Sequence, residues 1–430
     1  LRDILWKVAI VVLWIGGISA PLWAGISLPA SFEGWFGQGF IGWLFAIVAS
    51  VSALYLAATF YHGYRYQPSL RVGRAHLPTV TLVVPAYNEG PMVRVSLESA
   101  LANDYPRDKL QILAIDDGST DDTWVHILAI ARKYPDVVTA VAMPKNGGKR
   151  EALLHGFRMA TGEVVVTVDS DSKLSKDAIA NIVAPLVRDS QVAAVAGKVV
   201  VLNRYANFLT RLLSARFYVT FDLGRAAQSR FGAVLCCPGA LAAYRRSALL
   251  EVIDSWSTQL FLGMPCTIGE DRALTTWLMR AGYRSVYQST AIVETLVPTT
   301  LRGMVKMFIR WERGNLREDF VMLPILFTRW RTRDRWWPTF EIAFELLQLP
   351  LGLVALGMAF VHFAARPADV LIAVGTVGTV ACAQSLYAFR SQRDSNFLFG
   401  IAYAFVALFG LQWILPYSAL TIRDGRWLTR

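Results

Sequence analysis

Two carboxylates two residues apart, Asp169 and Asp171 in "VDSDS", close a run of β-branched residues. Hard oxygen donors in this pattern suit Mg2+ or Mn2+ bridging a diphosphate. Alone, an acidic pair after a strand more often belongs to a turn. Here it has company: "AYNEG" supplies Asn88 and Glu89, "DDGS" supplies Asp116 and Asp117, and "KNGGKR" supplies Asn146 to Lys149. Asp116 to Ser119 by itself would be a turn and helix cap, and the paired glycines a loop. Following one another in order, they describe a site where acids, a divalent metal and a phosphate-bearing ligand balance charge. "GGKREAL" has neither the G-x-G-x-x-G dinucleotide pattern nor a Walker loop.

The elements that must position these residues are legible around them. From Thr79, short β-branched runs ("TVTLVVP", "LQILAI", "VVTAVAM", "EVVVTV") alternate with helical stretches. That alternation predicts a parallel sheet with helices on both faces. Ligands of such sheets sit at the carboxyl ends of the strands, where all the polar residues above fall.

The rest of the chain is apolar in blocks. Of 430 residues 54% are hydrophobic and 17% charged, too apolar overall for an ordinary soluble protein. Runs long enough to cross a bilayer, about 20 residues, occur near 8–28, 36–61, 342–364, 370–389 and 397–420, the last broken by Pro416. The first run is long, lacks a small-residue cleavage site and is followed at once by the second, which argues for a helical hairpin rather than a signal peptide. Arg2, Lys7, Arg65, Arg71 and Arg74 flank the pair while "PASFEG" between them has no cation, placing the central domain in the cytoplasm. Four cysteines without zinc spacing agree with a reducing compartment. The net charge of +11 clusters beside the apolar runs, so lipid headgroups and a phosphate-bearing substrate account for it without nucleic acid.

"VVPAYNE", "IDDGSTD", "NGGKREAL", "VDSDS" and "GEDRALT" occur in the order seen in membrane-bound, inverting family 2 glycosyltransferases. "RAAQSRFGAVLCCPGALAAYRRSAL" and the terminal "TIRDGRWLTR" resemble the hyaluronan synthase and nodulation chitin-oligosaccharide synthase branch, the latter especially. The similarity covers about Thr79 to Arg430. It implies an α/β GT-A domain (residues 65–300) between an N-terminal transmembrane hairpin (1–64) and amphipathic interface helices (301–337), with a transmembrane or re-entrant region and tail (338–430). It further implies transfer from a UDP-sugar, with UDP-GlcNAc favoured, to a growing glycan at the plasma membrane. A glucan or hyaluronan product, or a non-catalytic nucleotide-sugar sensor or transporter, are the alternatives.

By the same resemblance Asp271 is the catalytic base and Glu270 orients it or the acceptor. Asp117 binds uracil with Tyr87 and Glu89, Lys149 contacts phosphate or uridine, and Asp169 and Asp171 approach the diphosphate, Asp171 being the firmer metal ligand. Gly239 forms the acceptor floor, Arg310 meets the diphosphate, Trp311 stacks on the acceptor sugar, and Trp427 and Arg430 gate the site. The chain departs from its relatives at Pro238, at Ala240, and at Met307, where the Q-x-x-R-W motif has glutamine. In "FIRWERGNLRED" (308–319) a solvated cationic belt accounts for Arg313 and Arg317. The stripe Leu209, Leu212, Leu213, Phe217, Phe221 reads as an interface helix, core packing being the other reading. Glu341, Glu345 and Gln348 either form the mouth of a polymer path or cap a helix start. For Trp427 and Arg430 to reach a cytoplasmic site, the fifth run must be re-entrant or lie along the interface.

Overall fold

The structure, a computed structural model, describes residues 2–23, 40–328, 331, 336–392 and 395–426. "PASFEG", Trp427 and Arg430 lie outside the described residues, as does the side chain of Gln348. Two apolar helices, α1 (Arg2–Trp23) and α2 (Phe40–Tyr64), precede the main sheet.

Four strands then pair in parallel as the alternation predicts: β1 (Val80–Ala86), β2 (Leu110–Asp116), β3 (Val138–Ala142) and β4 (Val164–Thr167), in spatial order β3-β2-β1-β4. β1 and β4 are buried along their whole length, which is why they read as unbroken apolar runs. Successive residues serve opposite cores. Leu82 and Val84 pack toward α3 (Met92–Leu101) and α4 (Thr123–Lys133), sharing a cluster with Leu97 and Ile127. Val83 packs the other way with Phe157 of α5 (Lys149–Met159).

Beyond β4 the sheet is mixed, which corrects the expectation of a parallel one. After β5 (Ser172–Leu174), α6 (Ala178–Ile182) and α7 (Ala184–Arg188) come β6 (Val192–Val201), α8 (Phe208–Arg216), a π-helical segment (Phe217–Leu223) and α9 (Gly224–Ser229). β7 (Ala242–Arg245) then inserts between β4 and β6, antiparallel to both. A four-residue strand carries too little periodicity to announce its direction. Its reversal matters, because its N-terminal end falls on the same sheet edge as the carboxyl ends of β1, β2 and β4. Pro238 and Gly239 are thereby brought to the acidic turns.

α10 (Arg246–Ser257), the small hairpin β8 (Leu260–Phe261) and β9 (Met264–Pro265), and α11 (Glu270–Arg280) lead to β10 (Arg284–Thr295), parallel to β6 and antiparallel to β5. The 27-residue α12 (Leu301–Phe327) starts at Thr300, whose hydroxyl accepts from the Gly303 N–H (3.2 Å), and runs past α11. α13 (Trp336–Ala365), α14 (Val370–Gln392), α15 (Phe399–Val406) and α16 (Ile414–Leu420) complete the described chain. α1 packs on α14, and α12 on α13 and α16.

Among the described residues, one helix (Pro367–Ser385) is long and apolar enough to cross a membrane, or up to three if each bent pair counts as one span. The last pair bends by 47° between Leu411 and Ile414, ahead of Pro416. The stripe on α8 and the π-helical segment corrects the interface reading. Leu212 packs with Phe399 and Ile401, and Leu213 and Phe217 join the main sheet core. α8 is covered on that face by α15, which a local sequence pattern does not disclose.

Candidate active site

One cavity of about 1490 Å³ runs along the strand-end edge and on toward α12, α13 and α16. Every described residue singled out by the resemblance lines it: Tyr87, Glu89, Asp117, Lys149, Asp169, Asp171, Gly239, Glu270, Asp271, Arg310 and Trp311. Asp116 does not; its carboxylate turns back to accept from the Ser119 N–H (3.3 Å).

At one end, Asp117 is 2% exposed and accepts from the Gly147 N–H (2.8 Å) and the Asn146 amide (3.3 Å). Burial raises its carboxyl above the ordinary range, against the pull of the Gly147 and Gly148 N–H groups. Gly118, at φ +67, lets this turn pass directly over Lys145 and Asn146.

At the centre, the N-terminus of α11 presents Glu270 and Asp271. Lys149 sits between an acid that follows β4 and an acid that starts α11, its Nζ 2.5 Å from Asp169 Oδ1 and 3.0 Å from Glu270 Oε1. Burial works against its charge, but Asp169, Glu270 and Asp271 together raise its pKa. Glu270 is likewise opposed by burial, yet Lys149, the helix N–H groups and Arg310 hold it below the usual carboxylate range. Asp271 goes the other way. Burial and then Glu270 raise it, although Lys149 and the N–H groups of Arg272 and Gly239 pull back. Two adjacent carboxyls pushed apart in this manner provide one ionised partner and one proton acceptor of raised basicity.

Gly239 explains how the pieces meet. Its N–H donates to Asp271 Oδ2 (3.2 Å), and a side chain there would strike Lys149 Nζ and crowd Asp169. A glycine here lets the β7 loop approach the acid–lysine cluster without displacing the Lys149 ammonium from its two carboxylates.

Asp169 and Asp171 follow β4. Asp171 Oδ1 accepts from Thr295 Oγ1 and Ser172 Oγ, both at 3.3 Å, so the end of β10 steadies it. Among the described residues no group of three or more His, Cys, Asp or Glu could hold a metal by itself. Two carboxylates on an open cavity wall fit a hard divalent cation that takes its remaining oxygens from a diphosphate and water. They do not fit an all-protein cage or a soft-metal site.

The wall facing the apolar helices comes from α12. Trp311 stands among Phe217, Phe221 and Phe308, with ring centroids 5.7–6.1 Å apart, and the Arg216 guanidinium lies 5.6 Å from its ring. Met307 lines the cavity and is 5% exposed.

The charges of 308–319 correct the solvated-belt reading. Arg313, Arg317 and Glu318 are each at most 3% exposed. Arg313 donates to Thr421 Oγ1 (2.9 and 3.1 Å) and pairs with Asp424 (3.0 Å). Arg317 donates to the Ile268 carbonyl, and Glu318 accepts from Gln259 (2.8 Å). α12 is enclosed by α11, the loop before it and the chain after α16, so its charges point into protein. Thr267 also donates to the Gly425 carbonyl (2.7 Å). The chain entering the tail therefore lies on the catalytic domain, within two residues of Trp427.

The structure also places polar groups that the motifs did not assign. Arg272 joins Asp319 (2.8 Å) and Glu345 (3.3 Å), tying α11 to α12 and α13. Arg225, Arg216 and Glu312 line the same cavity. Arg272 follows Asp271 directly and Asp319 ends the charged stretch, so each was adjacent to a signal without carrying one. Glu345 is one of the two acids read as a path mouth or a cap, and its partner is Arg272 of α11. Tyr55 of α2 donates to the other, Glu341 (3.1 Å).

A mixed sheet with acidic turns, a D-x-D pair and a carboxylate at a helix start opposite it is the architecture of a GT-A-like glycosyltransferase. Residues 78–314 match the family described as "Glycosyltransferase like family 2", and the chain belongs to that family. It is 32% identical over 391 residues to an N-acetylglucosaminyltransferase of Rhizobium leguminosarum bv. viciae, covering 90% of each chain. It is 34% identical over 358 residues to an N-acetylglucosaminyltransferase of Rhizobium meliloti (strain 1021), covering 82% of each. Among solved structures it is similar to a mannosyltransferase of Pyrobaculum calidifontis in complex with GDP-Man and Mn2+, with TM-score 0.58 and 27% identity over 86% of this chain and 99% of that one.

Proposed function

We propose that this glycosyltransferase is an inverting, processive enzyme that takes N-acetylglucosamine from UDP-GlcNAc and extends a chitin-like glycan at a membrane. The observation that carries the reading is the continuity of one cavity from Asp117, past the Asp169–Asp171 pair and Asp271, to α13 and α16. The names of the curated relatives favour the donor sugar, and Mn2+ in the mannosyltransferase complex favours a divalent metal.

Asp117 and the Asn146–Gly147 amides receive the uracil with Tyr87 and Glu89. Asp169 and Asp171 hold Mg2+ or Mn2+, which when bound neutralises the leaving diphosphate. Arg310 adds donors on the α12 side. Trp311 offers its ring to the acceptor sugar, and Gly239 forms the floor. Asp271 accepts the proton of the attacking hydroxyl as that oxygen bonds to the anomeric carbon and UDP departs, which inverts the anomeric configuration. Glu270 keeps Lys149 in place. Trp427 and Arg430 close over the nucleotide after the 421–426 segment returns to the domain. The apolar helices flank the domain as membrane anchors, with the catalytic face cytoplasmic, and the product leaves along the wall of α12 and α13.

The test is incorporation of labelled sugar by the full chain in lipid vesicles from UDP-GlcNAc, UDP-glucose, UDP-glucuronic acid and GDP-mannose. UDP-GlcNAc alone should give a product that chitinase degrades. Equal incorporation from GDP-mannose would contradict the donor reading.

A further inference from the structure

The wall built by α9, α11, α12 and α13 holds polar groups that neither the metal pair nor the base employs. Arg225 on α9 lines the cavity at 7% exposure. Its guanidinium lies 4.6 Å from the Phe221 ring, and its Nη1 is buried with no hydrogen-bond partner among the described residues. A buried donor in that condition calls for an acceptor supplied from elsewhere. Arg272, 6% exposed, has its Nη2 committed to Asp319 and Glu345. Asp319, Glu345 and Glu312 all face the same cavity. Cys236, Pro238 and Gly239 line the same cavity, so this wall borders the floor proposed above for the acceptor sugar.

Resting on the proposed transfer reaction, we propose that this wall is a product subsite for an uncharged, N-acetylated saccharide unit, in which Arg225 donates to the acetamido carbonyl and Asp319 and Glu345 accept from hydroxyls. A neutral N-acetylhexosamine offers both the carbonyl acceptor that Arg225 lacks and the donors that carboxylates require. A uronate does not fit. Glu312, Asp319 and Glu345 already balance Arg216, Arg225 and Arg272 on this lining, and a further desolvated carboxylate would add unmatched negative charge. A plain hexose satisfies the carboxylates and leaves Arg225 Nη1 without its acceptor. The wall therefore selects for acetylation and against negative charge.

Direct binding of chitotetraose, cellotetraose and hyaluronan tetrasaccharide to the full chain in lipid nanodiscs, loaded with UDP and Mn2+, tests this. The wild type should bind chitotetraose at least tenfold more tightly than the hyaluronan tetrasaccharide, whose uronate carboxylates would have to be desolvated beside this wall without a partner. Arg225→Ala should weaken chitotetraose about tenfold and leave cellotetraose unchanged. The double variant Asp319→Asn with Glu345→Gln should tighten the hyaluronan tetrasaccharide relative to chitotetraose. UDP binding reports folding of each variant; where Arg225→Ala fails to bind UDP, Arg225→Lys carries the same comparison, keeping charge without the planar fork. Equal wild-type affinity for chitotetraose and the hyaluronan tetrasaccharide, or an Arg225 variant that treats chitotetraose and cellotetraose alike, overturns the subsite. A wild type that binds chitotetraose selectively yet incorporates nothing from UDP-GlcNAc overturns the transfer reading and leaves the subsite standing.

Discussion

The two ends of the cavity are built on different principles. At the Asp117 end, every polar group sits within a few residues of a strand's carboxyl end, and its partners are the backbone amides of neighbouring short turns. At the α12 end, the polar groups ride on helices far apart in sequence and pair across them, Arg272 with Glu345 and Arg313 with Asp424. The first end is preset by sheet topology. The second exists only when the catalytic domain and the apolar helices are assembled, so it is the end that can report that assembly.

This contrast predicts where variants act. The largest effect belongs to the metal pair, at the strand-end side. Chelation with EDTA, or Asp171→Asn, should lower sugar incorporation about 100-fold or more, the loss typical of removing charge stabilisation at a leaving group, with Mn2+ or Mg2+ restoring the chelated wild type and not the variant. Unchanged incorporation under EDTA would break the reading of Asp169 and Asp171.

On the helix side the loss should appear first in stability. Arg313→Ala removes two bonds to Thr421 and one of the two arginines paired with Asp424, leaving Arg426 on its exposed side. Breaking such a pair costs about 3–5 kcal/mol when fully buried, and less here because Asp424 is partly open to water. Thermal unfolding should show it, together with protease sensitivity confined to the chain after α16. A variant with wild-type melting and an intact tail would remove the distinction between the two ends.

Asp319 sharpens the comparison through pH. Burial, reinforced by Glu345 and Glu312, outweighs Arg272 and pushes its carboxyl up to about 7 from an ordinary 3.8. A carboxyl raised on folding contributes stability that is complete below its ordinary value and fades as pH rises through its folded one. The melting temperature of Asp319→Asn should therefore gain on the wild type between about pH 4 and pH 7 and keep a constant difference above that. A difference independent of pH across that window would contradict this.

The smallest effect is expected at Met307, buried on the cavity wall. Met307→Gln should change product length while altering the rate by only a few-fold, about the 1 kcal/mol scale of one added neutral hydrogen bond. Identical product sizes would leave the departure at this position without a role.

The same contrast explains what could be read in advance. Asp117, Lys149, Asp169 and Asp171 were legible because a strand end fixes both position and direction of a nearby side chain. Asp271 and Trp311 came from motif resemblance, since nothing local marks a helix start as a base. Arg313 and Arg317 were misread as solvated because only the return of 421–426 and the loop before α11 encloses them. Leu212 and Leu213 were misread for the parallel reason, their cover coming from α15. β7 escaped because four residues do not reveal direction, although its reversal delivers Gly239. In each case the missing information was a partner distant in sequence.

The most direct test of the central claim is Asp271→Asn, assayed in vesicles for UDP binding and for incorporation from UDP-GlcNAc. The side chain keeps its size and its bond from the Gly239 N–H but cannot accept the acceptor's proton. UDP affinity should stay within about twofold of wild type while incorporation falls by about 10²–10⁴, the range for loss of a general base. Incorporation persisting at the wild-type rate, with UDP still bound, would contradict the assignment of Asp271 as the base on which this cavity's chemistry turns.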